Sequence, residues 1–93
     1  MSTEGFPYSQ SISPREIANW LARQFTLDEI WVCDEKVWAI RRENTYVILY
    51  EGSYGGDVSA VTHYPEDINP FLEREISRKT QQGFHCVQNR MYG

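Results

Sequence analysis

The longest run of β-branched and aromatic residues, Lys36 to Tyr50 (KVWAIRRENTYVILY), is broken once, by the polar pair Glu43-Asn44. Two β-strands joined by a turn are predicted there. With Glu43 and Asn44 as a two-residue loop, Arg42 faces Thr45, Ile40 faces Val47 and Trp38 faces Leu49. Opposed residues share a side of the sheet. One face therefore carries Trp38, Ile40, Val47 and Leu49; the other carries Val37, Ala39, Arg41, Tyr46, Ile48 and Tyr50. A hairpin with one wet side alternates apolar and polar positions, and this one does so only near its turn. Asn44 suits a positive φ, but Glu43 suits a type I′ loop poorly, so a longer loop is the alternative.

Leu27 to Asp34 (LDEIWVCD) has the same character and predicts a preceding strand, turned at Asp34-Glu35. That register sets Trp31 beside Trp38 and Cys33 beside Lys36, and adds Ile30 and Val32 to the aliphatic face. Downstream, Gly52 to Asp57 (GSYGGD) reads as a turn. Val58 to His63 reads as a shorter fourth strand, weaker than the others and so at an edge. Phe84 to Val87 is either a short strand or a packed tail.

Two segments change to helical spacing. Ser13-Pro14-Arg15-Glu16 combines a capping hydroxyl, a proline at the first turn and an acid three residues after the cap. A helix over 14–25 follows, with Ile17, Trp20, Leu21 and Phe25 on one stripe and Ala18 beside it. Asn69-Pro70 repeats that logic for a helix over 70–82, stopped by Gly83. Its apolar face is narrow: Phe71, Leu72, Ile76 and the stem of Lys79. Glu75 and Lys79 are spaced as an i,i+4 pair. Residues 1–12 read as a loose arm and 13–93 as a single domain. The expected fold is α+β: an antiparallel meander of three to four strands flanked by an N-terminal and a C-terminal helix, both helices on one face.

Composition narrows the function classes. The 93 residues suffice for one domain with a thin core. No apolar run approaches the roughly 20 residues of a membrane helix, and MSTEGFPYSQ lacks the regions of a signal peptide, so a cytoplasmic address is expected. Net charge is −4 and uneven: residues 28–67 hold nine acids against three bases, whereas residues 68–93 hold two acids against four bases. An acidic sheet region repels a phosphate backbone, which argues against nucleic acid. Cys33 and Cys86 are expected to be free thiols.

Candidate chemistry is sparse. Cys33, His63, His85 and Cys86 lack zinc-site spacing, and no metal or other cofactor is expected. GSYGGD has no following lysine or helix, so it is a poor phosphate loop. Asp34-Glu35 and Glu66-Asp67 are turn acids with no sign of a shielded pocket. Cys33 beside two acids is a dulled nucleophile. No catalytic residue is assigned.

What remains is grease. Two helices on the aliphatic face would leave Trp31, Trp38, Ile40, Val47 and Leu49 open, a patch larger than monomers normally show. Tryptophan is enriched at binding hot spots. The opposing reading places one helix on each face and buries everything. The expected function is a non-enzymatic protein-protein interaction or regulatory module, binding a protein partner or its own copy through those five residues. An inhibitor of a basic protein is one form of it. The alternative is a small ligand-binding or catalytic domain with a site at Tyr54, Asp57, His63 and Tyr64.

Overall fold

The computed structural model describes residues 12–89. Among them, helix α1 (Pro14–Ala22) precedes strands β1 (Glu29–Cys33), β2 (Lys36–Arg42), β3 (Val47–Ser53) and β4 (Val58–His63). Helix α2 (Ile68–Gln81) and strand β5 (His85–Asn89) follow. The sheet has five strands in the order β4-β3-β2-β1-β5, and all four pairings are antiparallel. The fold class is therefore α+β with an antiparallel sheet. Beyond the meander, the stretch after Phe84 takes the strand alternative and pairs with β1 as a fifth strand. Most of the expected arm, residues 1–11, lies outside the described residues; Ile12 packs half-buried at the core beside α1.

The start of α1 follows the sequence signal: the Ser13 hydroxyl accepts from the Glu16 backbone amide at 3.1 Å. Ile17, Ala18 and Leu21 are fully buried. The helix stops three residues earlier than expected. The amides of Gln24 and Phe25 both return to the Leu21 carbonyl, at 3.0 and 3.2 Å, a tightened last turn. Phe25 then reaches Tyr50, with ring centroids 4.8 Å apart. The chain next fastens itself to β2: the Asp28 amide donates to the Ile40 carbonyl at 2.8 Å, and its carboxylate accepts from the Arg42 amide at 2.7 Å.

The first hairpin has the expected register, with Trp31 opposite Trp38 and Cys33 opposite Lys36. Asp34, with φ 55°, supplies the left-handed turn residue. The second differs. Arg42 opposes Val47 and Ile40 opposes Leu49, so the loop spans four residues, closed by the Glu43 amide on the Tyr46 carbonyl at 2.9 Å. Asn44 does not take a positive φ. The shift from the two-residue loop is two positions, an even number, so every side chain keeps its expected face.

Those faces are two separate cores. One holds Ile30, Val32, Val37, Ala39 and Tyr50 beneath Ile17, Ala18 and Leu21 of α1. The other holds Trp38, Ile40, Val47 and Leu49 with Leu72 of α2 and Phe84. The helices thus lie on opposite faces, not on one. The long connection from β4 back to β5 carries α2 across the side that α1 leaves bare. Leaving that much aromatic surface in water would forgo about 25 cal/mol per Å². Helix α2 begins at Ile68 with Asp67 as its cap residue, and no side chain caps it. Asn69, the expected cap, lies inside the helix and accepts from the Arg42 guanidinium. Gly83, at φ 103°, ends the segment as predicted.

Candidate functional site

Covering the aromatic face with so narrow a helix decides what stays accessible. Only Leu72 and Lys79 of α2 are buried; Phe71 and Ile76 are half-buried. The Lys79 stem does the work of an apolar residue. Its ammonium lies 5.7 Å from the Trp38 ring centroid and 5.2 Å from that of Phe84. It pairs with the Glu51 carboxylate at 2.6 Å rather than with Glu75, which instead holds Arg78 at 3.2 Å. A cation on two ring faces is attracted by their quadrupoles while its methylenes cover them.

Beyond Lys79 the helix leaves a groove of about 300 Å³ along β4. Its floor is Trp38 and Leu49, one wall is Glu75, Arg78 and Lys79, and the other is Ser59, Val61 and His63. The His63 ring packs on Phe71 at 5.1 Å. β4 has one strand neighbour, β3, and its outer side carries no strand among the described residues. None of its six residues, Val-Ser-Ala-Val-Thr-His, is an acid, lysine, arginine or proline, and its pairing to β3 is regular. Edge strands are ordinarily protected by such charges, by proline or by a bulge. Among the described residues the exposed large apolar side chains are Val61, 52% exposed, and Tyr64, 74% exposed. One sits in this strand and the other one residue beyond it. β5, at the opposite edge, differs: its pairing with β1 shifts register between Ile30 and Trp31.

The expected site residues fare unequally. Trp38, Ile40, Val47 and Leu49 are brought together, but beneath α2 and at most 9% exposed. The open apolar face is therefore closed, and these four are core. Trp31 is half-buried at 6.0 Å from Trp38, its indole N–H donating to the Glu29 carboxylate at 2.8 Å. The alternative set is not assembled. Tyr54 rests edge-on against Trp20 at 5.4 Å, on the α1 side. Asp57 precedes β4 and His63 ends it, so the strand separates them by roughly 20 Å at about 3.3 Å per residue. Tyr64 stacks beside Tyr46 at 5.6 Å. β4 lies at the edge where its weaker pattern predicts it. The missed signal is an edge strand without a formal charge.

Two further cavities lie elsewhere. One of about 600 Å³ is lined by Arg42, Asn44, Thr45 and residues 65–70, and is polar and open. Another, about 210 Å³, lies at the Lys36 end of the sheet. No three of the described His, Cys, Asp and Glu residues are grouped to hold a metal. Cys33 and Cys86 are free thiols. Partial burial raises the Cys86 thiol above its ordinary pKa, and the Glu29 charge raises it further. No helix among the described residues is long and apolar enough to cross a membrane. No protein-family model, curated protein or solved structure matches this chain.

Proposed function

We propose that this chain is a protein-interaction module whose binding element is the β4 edge with the groove beside it. It takes the place of the Trp38 face, which α2 occupies. One observation carries the reading: a six-residue edge strand without formal charge, proline or bulge, at which the two exposed large apolar side chains among the described residues are gathered. An extended partner segment adding to β4 would gain main-chain hydrogen bonds. Alternate side chains would enter the groove over Trp38 and Leu49, the usual division of affinity and specificity in strand addition. The mixed charges of the groove, Glu51 and Glu75 against Arg78 and Lys79, leave an uncharged strand as the best fit.

A photo-reactive residue introduced at Val61 tests this in cells or extract. Cross-linked protein is expected at Val61 and absent when the same residue replaces exposed Glu73 on α2. Equal labelling at both positions, or none at Val61, would remove the proposal.

A further inference from the structure

Resting on that reading of β4, we infer that the strand added to this edge is β4 of a second copy, in antiparallel pairing about a two-fold axis through Val61. Opposed residues of an antiparallel pair share a face, so such an axis must fall on a residue and not between two. With the axis on Val61, Val61 meets Val61 of the second copy, Ser59 meets His63, and Ala60 meets Thr62. Continued one residue, the same register sets Tyr64 over Val58. The strand is thus a palindrome in chemistry: apolar, polar, small, valine, small, polar, aromatic. A C2 interface needs a strand that is complementary to its own reverse, and this pattern makes β4 such a strand.

The neighbouring registers lack this match. An axis on Ala60 sets Val61 against Ser59 and Tyr64 against Gly56; an axis on Thr62 sets Val61 against His63 and Ser59 against Pro65. Of these three registers, only the Val61 axis gives both Val61 and Tyr64 an apolar counterpart. It also extends an existing row. Ile40, Leu49 and Val61 are successive partners across β2, β3 and β4, so the row would run unbroken through both subunits. Charge agrees. Each copy carries −4 overall, yet no Asp, Glu, Lys or Arg lies among residues 58–64 and His63 meets Ser59, so like charges are never opposed across the new pair. The contact is one strand wide, smaller than the roughly 1,200–2,000 Å² of stable interfaces, so the dimer is a weak one that forms with concentration.

Sedimentation equilibrium of the purified full chain over a wide concentration range is the test. The wild type is expected to shift from one to two chain masses. Val61→Lys and Val61→Glu should each stay monomeric, because each opposes like charges at the axis, and their mixture should dimerise again. Circular dichroism checks that both variants fold. If either does not, concentration-dependent slowing of hydrogen exchange at residues 59–63 of the wild type decides instead. A wild type monomeric throughout, with no such slowing, overturns the second copy as occupant. So does a dimer that both charge variants retain. The binding-edge reading is judged separately by the Val61 photo-adduct, whose mass distinguishes a second copy from another protein.

Discussion

The two sides of this sheet are covered by helices of opposite design. α1 is nine residues long and lays small and aliphatic side chains, Ile17, Ala18 and Leu21, on an aliphatic floor. α2 is longer, 14 residues, yet buries only Leu72 and a lysine stem on an aromatic floor. A short stripe of branched residues closes one side over β1, β2 and β5, leaving Ala60 and Thr62 of β4 exposed there. A long, mostly polar helix closes the other only along its own track, and the groove by β4 is what it misses. How much of a sheet a helix covers is set by the width of its apolar stripe, not by its length.

Mutations that thin either side should separate these designs. The largest effect is expected from Trp38→Ala, which removes the centre of the aromatic floor: about 3–5 kcal/mol of unfolding free energy, read by urea denaturation. A loss under about 1 kcal/mol would mean that α2 does not depend on that ring. Leu21→Ala, on the tightly closed side, should cost about 2–5 kcal/mol by the same measurement. Glu51→Gln should cost less than about 1 kcal/mol. The Glu51 side chain is 62% exposed, so water replaces much of what Lys79 loses, and the ammonium keeps its ring faces. Val61→Lys, in the uncovered strip, should leave the stability of the monomer within about 0.5 kcal/mol.

Chemical labelling gives a smaller contrast, within the sheet edge made by β5. Cys86 is exposed, but its raised pKa means less thiolate at neutral pH than in the unfolded chain. Alkylation of Cys86 followed by mass spectrometry should therefore be slower in the folded protein at pH 7. The gap should narrow as pH rises through the folded-state pKa. Equal rates at pH 7 would show that its surroundings do not hold the proton.

Much of this architecture can be read from side-chain alternation. Trp31 and Trp38, and the aliphatic positions opposite them, fall on the faces their parity dictates, and an error of two residues in the second loop leaves that intact. Ser13-Pro14 and Gly83 mark helix ends through local chemistry. The side taken by α2 could not be read this way. Its few apolar residues give a direction around the helix axis but do not say which face of the sheet they meet. That choice is made by Trp38 and Leu49 of one hairpin together with Phe84, more than thirty residues on. The candidate site was harder still: an edge position for β4 is expected from its weak pattern, but the signal there is charge that is missing, and no side chain marks an absence.

The pairing of β5 with β1 has a consequence for biosynthesis. During translation the meander can assemble as soon as residue 63 clears the ribosome, but the flank of β1 stays bare until residue 89 follows. Over that interval the outermost strand on that side is β1 (EIWVC) instead of the more polar β5 (HCVQN), and half-made copies on neighbouring ribosomes can pair through that flank. Residues 85–89 therefore act as the last stitch, and truncation before them should yield inclusion bodies rather than a smaller soluble fold.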